Sequence, residues 1–191
     1  FYQGDSGSIY THDVSGTDDA ANENTAYGFN ALDAITTGDN NSAFGKSALS
    51  ANTTGLHNTG IGRESLRDNT TASGNTALGQ SSMAANTTGT RNIAIGFAAY
   101  NSSDTENDNL AIGYDAMTTN TAGGTNNVAI GNYALDALTS GDSNVAVGYD
   151  ALTTNNTGSN SVAIGKDAMK NHTSGGDNVA IGTDAMELAT T

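Results

Sequence analysis

The sequence predicts an all-β repeat protein, a parallel β-solenoid or β-roll, and three observations support this prediction. A five-residue motif, typified by the stretch from Asn178 to Gly182, occurs ten times, and every spacing is 17 residues except one of 18. A Gly closes the motif in every copy. The three residues before this Gly alternate in size, as the two faces of a strand require. A fixed period is typical of repeat architectures, in which each unit is stabilised mainly by its neighbours.

We number each coil from the start of its motif, so that the motif occupies positions 1 to 5. Position 1 is Asn in nine coils and Ser161 in the ninth coil. Stacked amides one strand apart can bond along the axis, which predicts an internal ladder; a row that contacts a ligand is the alternative. Position 5 is predicted to be a bend with φ > 0 or with no room for a side chain. The predicted structural positions are Asn24, Gly28, Asn41, Gly45, Asn58, Gly62, Asn75, Gly79, Asn92, Gly96, Asn109, Gly113, Asn127, Gly131, Asn144, Gly148, Gly165, Asn178 and Gly182.

The remaining apolar positions predict a thin core. Position 3 is Ala except at Gly60, position 4 is always apolar, and position 9 is always large and apolar. We expect position 4 to form a buried row, joined by position 2 in coils five to ten. The small residue at position 3 predicts close approach of another backbone, either across a tight roll or from a neighbouring subunit. Positions 6 to 12 are expected to hold a tight or 3₁₀-like segment, since stacking at about 4.8 Å leaves little room for a helix about 10 Å wide.

The chain divides into two parts by its repeats. Residues 1–23 lie outside the repeat and are interpreted as a cap or lead-in segment, with a flexible tail as the alternative. Residues 24–191 form the ten-coil solenoid. The chain starts with Phe1, which predicts that it is a fragment or a processed product.

The charge distribution excludes several classes of partner. The chain has 20 acidic and six basic residues, a net charge of −14, and no Lys or Arg between residues 92 and 165. Nucleic-acid binding depends on neutralising phosphates, so no nucleic-acid partner is expected. Anionic membrane surfaces are disfavoured because the chain itself is strongly acidic.

No apolar run reaches the length of a membrane span, so no membrane insertion is expected. There is no Cys, which excludes disulfides and thiolate metal sites.

The repeated unit resembles two groups of fibrous proteins. The motif from Asn144 to Gly148 resembles that in the heads of trimeric autotransporter adhesins, which are left-handed parallel β-rolls. The complete 17-residue unit resembles the repeat shafts of phage tail-fibre proteins and related bacterial surface proteins more closely. The resemblance covers residues 24–191 and implies a homotrimer at a virion or cell surface. The small apolar content per coil favours the same assembly, because threefold packing buries a second face; a monomeric solenoid is the alternative.

Two rows of side chains are candidates for binding. Position 6 carries Phe29, Phe97, Tyr114 and Tyr149, which could stack against sugars or lie in a subunit interface. Position 7 carries Asp150, Asp167 and Asp184 in consecutive coils. Stacked carboxylates about 5 Å apart repel each other, so this row either faces water or is bridged by a cation such as Ca²⁺. No other cofactor is expected.

The sequence therefore predicts a structural protein rather than an enzyme. The stretch from Gly4 to Gly7 matches a short serine-protease string but lacks the upstream His that this chemistry needs. His12, His57 and His172 occupy unrelated positions of the repeat and are interpreted as surface residues. The predicted function is a fibre shaft or head that contributes to host or surface attachment. The alternatives are a glycan-binding, lectin-like head and, on account of the Thr-Thr pairs, an ice-binding solenoid.

Overall fold

The fold is a single stack of short strands that follow one another along the chain. The structure, a computed structural model, describes residues 2–3, 8–10, 20–119 and 123–188. All twelve strands belong to one sheet, ordered from β1 to β12. The strands are β1 Tyr2–Gln3, β2 Ile9–Tyr10, β3 Thr25–Tyr27, β4 Ser42–Phe44, β5 Thr59–Ile61, β6 Thr76–Leu78, β7 Ile93–Ile95, β8 Leu110–Ile112, β9 Val128–Ile130, β10 Val145–Val147, β11 Val162–Ile164 and β12 Val179–Ile181. The predicted parallel β-solenoid is confirmed, and the described residues contain no helix.

The strands pair in strict register with the repeat. Ala146 of β10 lies between Ala129 of β9 and Ala163 of β11, and every parallel pair from β3 onwards aligns equal positions in this way. The 18-residue coil does not disturb the register, because Ala111 still pairs with Ala129. The extra residue is therefore accommodated in the loop between the two strands.

The stack extends one strand beyond the ten repeats. β2 pairs in parallel with β3, and β1 folds back on β2 in the antiparallel sense. Ser8 takes the place of a position 1 residue, because its Oγ accepts a hydrogen bond from the Asn24 N–H at 3.0 Å. Tyr10, with Ala26 as its strand partner, is fully buried. Part of the segment before residue 24 is thus built as a further strand of the solenoid, which the sequence comparison between coils did not reveal.

Only positions 2 to 4 are strand, yet hydrogen bonds join neighbouring coils around most of the circumference. The Ser47 N–H, at position 7, donates to the Phe29 carbonyl of the preceding coil at 2.8 Å. Two residues later, the Leu49 N–H donates to the Ser65 carbonyl of the following coil at 3.0 Å. The absence of Pro from the chain fits this arrangement, because Pro has no N–H to donate.

Residues with a left-handed backbone conformation recur in every coil, and two of them shape the turn between positions 5 and 12. Non-glycine residues at positions 7, 9 and 17 have φ between +48° and +62°, as at Asn30, Leu32 and Asn40. Alternating left-handed residues at positions 7 and 9 are incompatible with a right-handed helix, which explains why none forms there. Each such residue costs about 1–2 kcal/mol. The cost is offset by the coil-to-coil hydrogen bonds and by the burial of the position 9 side chain.

The core is formed mainly by positions 3, 8 and 9, with Ile35 and Leu138 added at position 12, and the prediction that position 4 is a buried row is wrong. Ala43, Ala48 and Leu49 of the second coil are fully buried, and their counterparts repeat this along the stack. Position 4 points outwards and is between 36% and 69% exposed in seven coils. Because strand faces alternate, burial of the small position 3 residue forces positions 2 and 4 to the outside. Position 3 therefore marks the tight interior of the roll.

Two ladders of Asn side chains complete the interior. Asn41 lies between two other position 1 residues: its N–H donates to Asn24 Oδ1 at 2.8 Å, and its Oδ1 accepts from the Asn58 N–H at 3.0 Å. The sequence interpretation missed a second buried ladder at position 12, formed by Asn52, Asn69 and Asn86. Both ladders donate to the same carbonyl at position 15; the Ala72 carbonyl accepts from Asn58 and Asn69. This shared carbonyl ties the two sides of each coil together.

The Gly residues at positions 5 and 15 are required for different reasons. Gly148 has φ of +141°, and a Cβ built on it would lie 2.6 Å from the carbonyl carbon of Gly165 in the next coil. Gly55, at position 15, has no left-handed φ, but a Cβ there would overlap the Ala72 carbonyl oxygen. Position 5 therefore needs Gly for conformation and for space. At position 15, where Ala72 and Glu106 occur in two coils, space alone restricts Gly55, whereas Gly175 has a left-handed φ of +91°.

The 18-residue coil accommodates an exception at position 15. Glu106 replaces Gly in the fifth coil and is 3% exposed. Its carboxylate accepts hydrogen bonds from the N–H groups of Asp104 at 3.0 Å, Thr105 at 3.1 Å and Gly123 at 3.1 Å. Gly123 belongs to the longer coil, directly above Glu106. The extra residue thus occurs where the larger side chain needs space and a hydrogen-bond donor.

Candidate interaction surfaces

The largest candidate surface is the outer sheet face, which consists of positions 2 and 4 of the ten coils. None of these 20 side chains is charged, although charged residues make up 14% of the chain. All ten position 4 residues are aliphatic or aromatic, from Tyr27 to Ile181. The parallel register places the position 2 residues in one continuous row along the stack and the position 4 residues in another. An uncharged apolar surface of this length is unusual on a soluble monomer and is typical of a protein interface.

The outer sheet face changes composition along the rod. In the first four coils, position 2 is Thr or Ser, so that only the position 4 row is apolar. From Ile93 onwards, position 2 is Ile, Leu or Val and both rows are aliphatic. At the amino-terminal end, Tyr27 and Phe44 stack on each other, with ring centres 5.7 Å apart. The face is therefore most apolar over the last six coils.

A second surface, the position 6 ridge, runs beside the outer sheet face from Phe29 to Thr183. Every residue at position 6 is exposed, including the predicted candidates Phe29 at 70%, Phe97 at 45%, Tyr114 at 43% and Tyr149 at 47%. The structure brings three of these four together. Phe97 and Tyr114 stack with ring centres 5.3 Å apart and an interplanar angle of 9°. Phe29 lies four coils away from them.

Tyr133 joins these residues into one aromatic strip, which we define as Phe97, Tyr114, Tyr133 and Tyr149. Its ring centre lies 5.5 Å from that of Tyr114 and 5.9 Å from that of Tyr149, both in edge-to-face geometry. The sequence interpretation missed Tyr133 because it occupies position 7, one residue away from the aromatic candidates at position 6. The rings of Phe97 and Tyr114 cover each other's faces. This geometry leaves fewer free ring faces for sugar stacking than the sequence alone suggested.

Acidic groups lie close to the aromatic strip and no basic residue occurs in this part of the chain. Asp115, next to Tyr114, is half-buried. Its partial burial, together with the neighbouring charge of Asp136, raises the pKa of the Asp115 carboxyl group. Partial burial also raises the pKa of the Tyr133 hydroxyl, and Tyr114 adds to the effect. The strip is therefore an aromatic surface with a negative potential.

The predicted Asp row is bridged by a side chain of the protein itself. Lys170 Nζ lies 2.7 Å from Asp150 Oδ2 and 2.9 Å from Asp167 Oδ1. Lys166 pairs with Asp167 as well, and hydrogen bonds from the two ammonium groups lower the pKa of Asp167. Asp184 is exposed at the end of the row. Among the described residues, no cluster of three or more His, Asp or Glu side chains has the geometry of a metal site. The Lys170 ammonium group lies between Asp150 and Asp167.

The Thr-Thr pairs differ in their two members. At position 13, the hydroxyl group donates to a carbonyl of the next coil, as from Thr36 to Thr53 and from Thr53 to Thr70, both at 3.0 Å. Position 14 is exposed over the first five coils, at Thr37, Thr54, Thr71, Thr88 and Thr105. Position 13 therefore serves the stacking of coils. Only one of the two rows remains available for an ordered array of water.

The remaining sequence candidates do not form a site. His57 is exposed, whereas His172 is buried at position 12, with its Nε2 3.1 Å from Asn178 Nδ2. The interpretation of His172 as a surface residue is therefore wrong. The Gly4 to Gly7 string and His12 lie outside the described residues. Across the described ranges, no helix has the length and apolar character needed to cross a membrane.

Comparisons with known proteins leave the family of this chain open. No protein-family model matches the sequence, and neither curated proteins nor solved structures give a significant match.

Proposed function

We propose that the protein is a structural segment of an extracellular fibre, with its outer sheet face packed against two further copies of the chain. The assembly is a rigid, acidic homotrimeric rod at a virion or cell surface. It serves as a shaft or head and contributes to attachment to a host or another surface. No reaction is part of this function.

The observation that carries the proposal is the uncharged outer sheet face. Most coils bury one large apolar residue, at position 9, with small residues at positions 3 and 8, and only the first and seventh coils add a second, Ile35 or Leu138; among the described residues this is a thin core for a free-standing rod. Packing of the outer sheet face buries the position 4 row as well. Fully burying a side chain such as Ile contributes about 1.5–3 kcal/mol, and the row extends over all ten coils. The resemblance to fibre shafts and adhesin heads supports three as the number of chains.

The test is the mass of the assembly in solution, measured by light scattering. The parent chain is expected to have three times the mass of one chain. Ile130→Glu places a charge in the middle of the outer sheet face, where Ile130 is 36% exposed, and is expected to yield monomers. Thr157→Glu is the matched control, because it adds the same charge at an exposed position 14 outside this face. A parent chain that is monomeric at high concentration contradicts the trimer.

The role in attachment needs a separate measurement. A glycan array with the purified chain distinguishes a shaft, which is expected to bind no glycan, from a lectin-like head. Binding that is lost in a Tyr149→Ala variant would support the head and place its site on the aromatic strip.

A further inference from the structure

The position 6 ridge is self-complementary when two copies run in opposite directions. Coil by coil, the ridge reads Phe29, Lys46, Arg63, Gln80, Phe97, Tyr114, Asn132, Tyr149 and Lys166, and Tyr133 fills the place beside Asn132 within the aromatic strip. The type of side chain on the ridge changes at the fifth coil, which contains Phe97. The three position 6 residues before Phe97 are cationic or polar, whereas three aromatic residues follow it in the next three coils: Tyr114, Tyr133 (at position 7, beside Asn132) and Tyr149.

We propose that two rods associate side by side and antiparallel through their position 6 ridges, with a twofold axis at Phe97. In this register Lys46 lies opposite Tyr149, Arg63 opposite Tyr133, and Gln80 opposite Tyr114. At the ends of the ridge, Lys166 lies opposite Phe29. A two-fold contact is self-complementary by symmetry, so each of these pairs occurs twice. The partner that binds the ridge in this proposal is a second copy of this chain.

Charge complementarity supports the antiparallel direction. Coils two to four, residues 41–91, contain four basic and two acidic residues, whereas coils six to eight, residues 109–160, contain four acidic residues and no basic residue. A parallel, in-register contact brings like charges together, but the antiparallel contact brings the basic coils against the acidic ones. Aromatic faces and edges near Asp115 then meet Lys and Arg side chains, for which cation–π contact is favourable.

The basic side chains of the ridge are available for this contact. Lys46 is exposed and pairs with no acidic group among the described residues. Arg63 contacts Glu64 at 2.8 Å, and its side chain remains 55% exposed. An exposed ion pair of this kind contributes little energy, so it does not prevent the guanidinium group from packing against an aromatic ring.

The contact is narrow and is expected to be weak. Nine coils at about 4.8 Å span roughly 40 Å, and the ridge is one or two side chains wide, which is smaller than a standard protein interface. Association through the ridge is therefore expected to weaken with added salt, because its charges remain partly solvated. Packing of the outer sheet face contains no charged side chain and is not weakened by salt. This difference separates the lateral contact from the proposed trimer, and neither depends on the other.

The chain has no Cys, so engineered pairs can report the register directly. Lys46→Cys and Tyr149→Cys chains, mixed and oxidised, are expected to form a disulfide between the two different chains. Each lies three coils from Phe97, on opposite sides, and the two meet only in the antiparallel register. Lys46→Cys mixed with Phe97→Cys is the matched control, because its partners are three coils, about 14 Å, out of register.

The expected result is at least a tenfold excess of the cross-link in the matched pair over the control pair, abolished in about 1 M salt. Equal cross-linking of both pairs overturns the proposal, as does no cross-linking of either. Preferential cross-linking of Lys46→Cys with itself also overturns it, because that result indicates a parallel contact. Unchanged melting temperatures of the single variants show that the substituted chains are folded.

Discussion

The first four coils and the last six share one interior and differ outside. In both regions, position 3 is small, position 9 is large and apolar, and position 5 is Gly. Outside, the first region has Thr or Ser at position 2 and carries four of the six basic residues. The second has two aliphatic rows, the aromatic strip and most of the acidic residues of the coils. Stacking constrains every interior position in the same way, so the two regions differ at exposed positions, which stacking does not constrain.

A substitution in the shared interior should affect both regions equally. Gly62→Ala and Gly148→Ala each add a Cβ in a left-handed conformation, 2.5 Å and 2.4 Å respectively from a carbonyl oxygen of the next coil. We expect each to cost about 3 kcal/mol or more, from backbone strain and overpacking together. Gly182→Ala is the matched control: apart from its two chain neighbours, no described residue has an atom within 4 Å of its Cβ, and only strain of about 1–3 kcal/mol remains. Thermal unfolding measures the difference. A control as destabilised as the other two contradicts the role of coil spacing.

An exchange at position 2 should affect the two regions in opposite directions. Thr76→Val extends the aliphatic row into the first region, and Val128→Thr interrupts it in the second, with little change of shape in either case. We expect trimer assembly to be strengthened by the first change and weakened by the second, each by about 1 kcal/mol per copy. Sedimentation over a range of concentrations gives the association constants. Two variants with the same constant as the parent would show that the outer sheet face is not the interface.

The smallest expected effects concern two acidic residues of the second region, and they have opposite signs. Asp167 has a lowered pKa, so its contribution to stability is present above its unfolded pKa of about 3.9 and is lost as the pH falls through the folded value. Lys170→Met should therefore lower the melting temperature at pH 7, and this difference should disappear once the pH lies below the folded pKa of Asp167. Asp115 has a raised pKa, so its ionisation opposes folding at pH 7.

Asp115→Asn is accordingly expected to raise the melting temperature slightly at pH 7 and to leave it unchanged below the pKa of Asp115. The two variants serve as controls for each other in the same titration. A Lys170→Met deficit that persists at low pH would show that the side chain acts through packing rather than charge.

The spacing of the repeat was enough to predict the fold class. The sequence did not show which side chains of a coil point into the core. The side of the strand that faces the core was predicted wrongly, because Ile at position 4 is the more hydrophobic choice. The interior holds Ala, as at Ala146, since the coil is too narrow for a larger residue there. Hydrophobicity predicts burial only when there is room inside.

The neighbours of the candidate residues were also not evident from the repeat positions. Asp150 and Asp167 were correctly placed in one row, but Lys170 comes from position 10, which was not compared with position 7. Tyr133 was missed because a one-position shift in sequence is a small displacement on a surface. The second Asn ladder had a signal in the repeated Asn at position 12, at Asn52, Asn69, Asn86 and Asn155.

The contact between Glu106 and the longer coil has a consequence for how the chain reaches its native state. In a sequence of near-identical units, a segment that docks one unit too early or too late makes almost the same contacts, so slipped forms are close in energy. The buried carboxylate of Glu106 accepts a hydrogen bond from the N–H of Gly123, which belongs to the 18-residue unit. A slip leaves the carboxylate buried without this partner, at a penalty of about 1–3 kcal/mol or more. The one irregular unit thus makes the native alignment of the coils more stable than slipped alignments in an otherwise periodic chain.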